Sequence, residues 1–247
     1  MQSVVLVINP GSTSTKFAVF HGDRCIFDQT LNHSAEELSH FATIASQYEF
    51  RESAIQEALK ARNFDMSSLN AVVGRGGLLH PIPGGIYRIN EGMKADLLAA
   101  KYGEHASNLG ALIADAFAKQ FGIPAFIADP VVVDELEDVA RVSGHKLFKR
   151  ISIFHALNQK AVARRFAKER GVCYEDLTLI VAHLGGGISI GLHRQGKVID
   201  VNQALSGEGP FSPERSGTLP AGDLASCLLY TSPSPRDRTR SRMPSSA

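Results

Sequence analysis

A strand, a tight polar loop, a second strand and a turn occur twice in this chain in one register, and no other feature restricts its fold as much. The first copy runs Val4-Val5-Leu6-Val7-Ile8 into Asn9-Pro10-Gly11-Ser12-Thr13-Ser14-Thr15-Lys16, continues through Phe17-Ala18-Val19-Phe20 and turns at His21-Gly22-Asp23. The second runs Leu179-Ile180-Val181-Ala182 into His183-Leu184-Gly185-Gly186-Gly187, continues through Ile188-Ser189-Ile190-Gly191-Leu192 and turns at Arg194-Gln195-Gly196. One constant shift superimposes Asn9 on His183, Gly11 on Gly185 and Gly22 on Gly196, the mark of a repeated hairpin unit. Gly-rich or hydroxyl-rich turns between buried strands leave N–H groups that the sheet does not use, and these can converge on phosphate oxygens. The pattern predicts two hairpins facing each other across a cleft. Asn9, Gly11, Ser12, Ser14 and Lys16 are the candidate phosphate contacts of the first loop, and His183, Gly185, Gly186 and Gly187 those of the second. Turns recruit Gly and Ser for conformational reasons too, so one such loop says little and the repetition carries the inference.

The rest of the chain sets few obstacles to this. Its 247 residues, 44% hydrophobic and 21% charged, can bury a sizeable core. A net charge of +1 creates no global field that selects nucleic acid or an anionic membrane. Cys25, Cys173 and Cys227 have neither metal nor redox spacing. No apolar run approaches a membrane span, so the expectation is a soluble globular protein of the cytoplasm.

Periodicity predicts alternating strands and helices: a third strand near Arg24 to Thr30, amphipathic stretches over Ser34 to Gln47 and Glu52 to Arg62, and a buried strand over Asn70 to Gly74 that delivers Arg75 at its end. A helix over Asn108 to Phe121, a short strand over Pro124 to Ala128 and a helix over His155 to Arg170 follow. The fold class is α/β, with polar motifs at strand ends, where open α/β sheets place ligands. From Ser226 to Ala247 the chain turns to Ser, Pro and Arg, a composition that cannot bury enough surface to offset its ordering entropy. This segment is expected to be a disordered or artefactual tail.

Several long motifs occur in order: Val7-Ile8-Asn9-Pro10-Gly11-Ser12-Thr13-Ser14-Thr15-Lys16, Val73-Gly74-Arg75-Gly76-Gly77, His105-Ala106-Ser107-Asn108-Leu109, Asp129-Pro130-Val131-Val132-Val133-Asp134-Glu135, Ile153-Phe154-His155-Ala156-Leu157-Asn158-Gln159 and Gly207-Glu208-Gly209-Pro210-Phe211-Ser212-Pro213-Glu214-Arg215-Ser216-Gly217. Together they resemble the butyrate kinases, which stand with acetate kinase in the sugar kinase, heat-shock ATPase and actin superfamily. The resemblance runs from Val4 to about Ala225. It implies duplicated ribonuclease-H-like (actin-like ATPase) domains with ATP between them: a first domain over 1–150, and an incomplete second domain over 151–225. It also implies the reaction, a reversible transfer of the γ-phosphoryl of ATP to a short-chain carboxylate that yields an acyl phosphate and ADP, by a protein at least dimeric when complete.

Under that resemblance each motif acquires a role. Arginine binds carboxylate or phosphoryl groups through paired donors and stays charged at working pH. Arg75 is assigned mainly to the carboxylate and Arg215 to the transferring phosphoryl group. His155 is assigned as a hydrogen-bond donor to that group, with no covalent phosphohistidine, and His105 as a further histidine of the site. Asp129 is the expected catalytic carboxylate and, with the neutral oxygen of Asn9, the expected Mg2+ ligand, because a hard cation takes oxygen donors. Phe154 and Pro213 are expected to form the apolar wall that measures the acid. A methylene there is worth only about 1 kcal/mol, so acetate, propionate, butyrate and branched acids stay open as substrates. A non-catalytic nucleotide-binding module would keep the two loops but would not need Arg75, His155 and Arg215 together. Family members continue past the Arg215 motif with later strands, a Gly-rich adenosine segment and an acidic metal-site residue, none of which this sequence shows. The chain as it stands is therefore expected to be inactive.

Overall fold

The computed structural model describes residues 3–205 and 208–231 of the chain. Strands β1 (Val4–Pro10) and β2 (Ser14–His21) form the first hairpin, with Val4 opposite His21 and Pro10 opposite Thr15. Gly22 takes φ 58°, a left-handed turn conformation that glycine adopts without strain, and sends the chain back as β3 (Arg24–Asn32). Strands β4 (Ala71–Arg75), β5 (Ile86–Arg88) and β6 (Ala125–Ala128) complete a six-stranded mixed sheet in the order β3-β2-β1-β4-β6-β5. The β1–β4 and β4–β6 pairs are parallel and the others antiparallel.

Four helices belong to this half: α1 (Ala35–Ser39), α2 (Tyr48–Ala61), α3 (Glu91–Leu98) and α4 (Asn108–Phe121). On α4, Leu109, Leu112, Ile113 and Phe117 recur at helical spacing and are buried, and Gly122 at φ 66° ends the helix. These side chains pack on Leu6, Ile8, Val72 and Ile127 of the sheet, together with Ile55 and Leu59 of α2. Burying each large aliphatic or aromatic side chain contributes about 1.5–3 kcal/mol. A methyl group on Gly74 would lie 2.1 Å from the Gly110 carbonyl oxygen, so only glycine lets α4 approach β4 this closely. That approach seats Arg75, the next residue.

The amphipathic stretch expected over Ser34 to Gln47 is not one helix. A capping box between Ser34 and Glu37 starts α1, which ends after five residues. Reciprocal bonds between Thr43 and Ser46 then hold a turn before α2, an instance of short hydroxyl side chains competing with helical backbone bonds.

The core changes after Val132: Val133 already belongs to a second apolar cluster with Leu136, Phe154, Val198 and Val201. The second half comprises α5 (Ala156–Arg170) and an antiparallel sheet of β7 (Thr178–Leu184), β8 (Ile188–Arg194) and β9 (Lys197–Val201). The shift that aligns the two loops carries the ends of β1 onto the ends of β7, and Gly196 at φ 76° repeats the turn of Gly22. Glu135 ties the halves together. One of its carboxylate oxygens accepts from the Lys160 ammonium at 2.8 Å and from the Gly84 N–H at 3.0 Å, and the other accepts from the Val198 N–H at 2.7 Å. No helix among the described residues is long and apolar enough to cross a membrane.

Helix α6 (Ala221–Thr231) runs into the stretch expected to be disordered from Ser226. Leu224, Cys227 and Leu228 continue an apolar helical spacing that starts upstream of the change in composition. The remainder of the expected tail, 232–247, lies outside the described residues.

Candidate active site

The two loops meet at a cavity of about 270 Å3 lined on one side by Gly11, Ser12, Arg75 and His105 and on the other by His183, Gly186, Gly187 and Arg215. Phe154 and His155 form its floor with Val131 and Ile153. Parallel pairing of β1 with β4 places the end of one strand beside the end of the next, so the Arg75 Nη1 group donates to Asn9 Oδ1 at 3.4 Å. The Arg75 Nε is buried and has no hydrogen-bond partner among the described residues. A buried guanidinium donor without a partner is costly. It suits a site whose missing acceptor is an anion.

His155 caps α5, its Nδ1 accepting from the Asn158 N–H. With Nδ1 used as acceptor, the proton of the neutral ring sits on Nε2. Burial, then the neighbouring Arg75 and His183, push the His155 pKa down to about 4. The rings of His155 and His183 lie 4.3 Å apart between centroids. Burial and then Arg75 also lower His183, and burial, Arg75 and Arg215 lower His105. Cationic charge in the cavity therefore rests on the two arginines, against the one carboxylate of Glu214.

The glycine loop of the second hairpin is packed against the turn 212–215. The Ser212 hydroxyl donates to the Gly186 carbonyl, and a methyl group on Gly187 would lie 2.2 Å from the Arg215 Nη1. Arg215 is oriented by its own Nε, which donates to the Leu205 carbonyl at 3.2 Å. Gly185 and Ser14 stand beside the lining residues, within the two loops.

Three expected site residues are not brought to the cavity. Lys16 alternates with the buried Thr15 and Phe17 along β2, so it projects from the opposite face and pairs with Asp28 at 2.9 Å. Asp129 is buried just past β6 with φ 34°. One carboxylate oxygen accepts from the Gly85 N–H at 2.8 Å and the other from Arg164 Nη1 at 2.9 Å. With both oxygens engaged, it braces the first half against α5. Pro213 is exposed on the outside of its turn, and the apolar lining of the cavity comes from Leu78, Val131, Ile153, Phe154, Ala204 and Leu205. No group of three or more metal-binding side chains occurs among the described residues. The residues lining the cavity fit phosphate and carboxylate, and Asp129 is not among them.

Sequence reading missed Glu214, Ser189, Val131 and Ile153 as lining residues. The repeat could have found Ser189, which the constant shift places on Thr15. Both are buried and both turn their hydroxyls inward, Thr15 to His33 and Ser189 to Gln159.

No family model matches the chain. It is 59% identical over 224 residues to butyrate kinase 2 of Clostridium acetobutylicum, an alignment that takes in 91% of this chain. The chain is a butyrate kinase homologue. It is also 59% identical over 220 residues to butyrate kinase 1 of the same organism and 56% identical over 225 residues to a probable butyrate kinase of Listeria innocua. It spans 62–63% of the length of these butyrate kinases. Among solved structures, Porphyromonas gingivalis acetate kinase superimposes with a TM-score of 0.69 at 18% identity, covering 96% of this chain and 67% of that one. A propionate kinase from Francisella tularensis gives 0.63 at 19% identity with the same coverage. At such identities the likeness is one of fold, the mixed α/β actin-like ATPase fold shared by these kinases.

The shifted histidines give a pH prediction. His193, buried with Tyr174 and Gln159 on its ring nitrogens, is also pushed down to about 4, by burial and then by Lys160. Between the usual histidine value near 6.5 and about 4, the unfolded chain binds protons at His155 and His193 that the folded chain does not. Their contribution to stability is complete above pH 6.5 and declines as pH falls towards 4. Thermal unfolding should come on the order of 10 °C lower at pH 5 than at pH 7, and His155→Asn should shrink that difference. An equal Tm at both pH values would show that both imidazoles titrate normally.

Proposed function

We propose that the protein is the phosphoryl-transfer portion of a carboxylate kinase that moves the γ-phosphoryl of ATP reversibly to butyrate or a related short-chain acid, forming an acyl phosphate and ADP. The observation that carries this reading is the convergence of Arg75, His155, His183 and Arg215 with both loops on one apolar-floored cavity, in a chain homologous to butyrate kinases.

Phosphoryl transfer needs in-line positioning and neutralisation of charge on the equatorial oxygens, with little covalent chemistry from the protein. The acceptor carboxylate is already an anion, so no general base is required. A neutral His155 suits this: its Nε2–H can donate to a phosphoryl oxygen, and it has no proton to remove. Arg75, whose Nε lacks a partner among the described residues, takes the carboxylate and Arg215 the moving phosphoryl group. The loop N–H groups hold the remaining phosphates. Phe154, with Val131 and Ile153, receives the acyl chain.

The test is hydroxylamine trapping of acyl phosphate by the protein restored to the full length of its relatives, supplied with ATP and acids of two to five carbons. Phe154 also packs in the core with Val133 and Leu136, so truncation to alanine would cost about 3–5 kcal/mol of stability; Phe154→Leu is the better probe. We expect butyrate to be preferred in the parent, and Phe154→Leu to change relative kcat/KM among the acids by about tenfold with the ATP KM unmoved. Absence of acyl hydroxamate with every acid would sink the reading.

A further inference from the structure

Arg51 lies on α2, outside the cavity, and is 1% exposed. Its Nη1 donates to the carbonyls of Gly11 at 2.8 Å and Ser14 at 2.9 Å and to the Thr15 hydroxyl at 3.1 Å. Its Nη2 donates to the Ser12 carbonyl at 3.0 Å and to Gln47 Oε1 at 2.9 Å, and its Nε reaches the same Gln47 oxygen at 3.2 Å. All of these acceptors are neutral, and a buried cation held without a carboxylate is an expensive choice. An apolar residue would take this donor from the Gly11 and Ser12 carbonyls and leave the Ser14 carbonyl with the Gly11 N–H alone. Lysine could not span them, because its donors radiate from one point, whereas the guanidinium is a planar fork.

In a trans peptide the C=O and N–H of one unit point in opposite directions. With the Gly11 and Ser12 carbonyls turned back to Arg51, the following N–H groups, those of Ser12 and Thr13, face away from it. Gly11 and Ser12 line the cavity, so that opposite side is the cleft. The fixed charge of Arg51 directly behind the loop also attracts an anion in front of it.

We propose that Arg51 is the positioning residue of the first phosphate loop, holding the carbonyls of Gly11, Ser12 and Ser14 behind it so that the Ser12 and Thr13 N–H groups meet phosphate oxygens. The proposal rests on the reading of the cavity as a phosphate site. Gln47, through its Oε1, sets the plane of the guanidinium. The second loop has a neutral counterpart, since the buried Gln159 on α5 donates to both the carbonyl and the hydroxyl of Ser189.

The experiment compares the 247-residue chain with Arg51→Met and Arg51→Lys by hydrogen–deuterium exchange and by calorimetric titration with tripolyphosphate. In Arg51→Met, amide exchange over residues 10–15 should accelerate by about tenfold or more while the α4 and β6 peptides stay protected. Tripolyphosphate affinity should fall by about tenfold. Arg51→Lys should recover part of the affinity, through its charge, and little of the loop protection. Unchanged loop exchange in a folded Arg51→Met chain would overturn the proposal. So would an Arg51→Lys chain matching the parent in both measurements, and that comparison decides the matter if Arg51→Met does not fold. Failure of the parent itself to bind tripolyphosphate would sink the phosphate reading of the cavity, while loop exchange would still report whether Arg51 holds the loop.

Discussion

Replacing Arg75 with methionine should abolish most of the activity of the length-restored protein while leaving the fold as stable as before, or more so. The two effects come from one cause. Arg75 Nε is buried with no partner among the described residues, and burial alone lowers the guanidinium pKa, so the folded protein carries a desolvated donor whose cost is about 1–3 kcal/mol. Methionine fills much of the same volume and carries no such donor. Turnover should drop by on the order of a hundredfold or more, as when a charge that acts mainly in the transition state is removed. The Tm should hold or rise by roughly 2–4 °C for each kcal/mol relieved. A loss of Tm in step with the loss of activity would make Arg75 a structural cation of the β4 end and would remove it from the site.

The second large effect concerns β7. In the first sheet Leu6 and Ile8 are 0% exposed under the helices. The constant shift places Ile180 and Ala182 at their positions and Leu184 at that of Pro10, yet Ile180 is 77% and Leu184 73% exposed. Strand β7 also pairs with β8 alone among the described residues, whereas β1 pairs with both β2 and β4. An apolar face next to an unpaired edge is a template for association. The 247-residue chain should therefore form concentration-dependent oligomers or aggregates at micromolar levels, measurable by sedimentation velocity. Ile180→Lys combined with Leu184→Lys should shift the distribution to monomer, because charges on an edge oppose pairing. A parent chain that sediments as a single monomer at tens of micromolar would show that the bare face does not drive association.

Much of this was legible from local pattern. The repeated hairpin shows in sequence because strand, turn glycine and loop residues recur at fixed offsets. Helix α4 spans the predicted Asn108 to Phe121 because its apolar spacing and its terminal glycine agree. Arg75 and His155 sit where a strand ends and a helix starts, positions that periodicity alone can find. Strand β5 and helix α3 left weaker traces: β5 is three residues long, and α3 buries only Lys94 and Leu97.

Other placements have a different character. Lys16 belongs to a phosphate-like loop by sequence, but strand alternation and Asp28 across the sheet turn it outward. Asp129 follows a buried strand as a metal ligand would, but Gly85 and Arg164, neither near it in sequence, take both of its oxygens. Pro213 adjoins Ser212 and Glu214 of the site motif but is itself exposed and does not line the cavity. Arg51, an unremarked residue of an amphipathic helix, became the partner of a loop some forty residues upstream. By itself the sequence determined the repeated hairpins, the main helices and strands, and the residue types gathered at strand ends, because these follow from spacing and local conformational preference along the chain. The tertiary structure alone decided which charged group meets which partner, since an ion pair or a buried guanidinium is satisfied by whatever the folded sheet and helices bring within about 3 Å, and no local signal encodes that meeting.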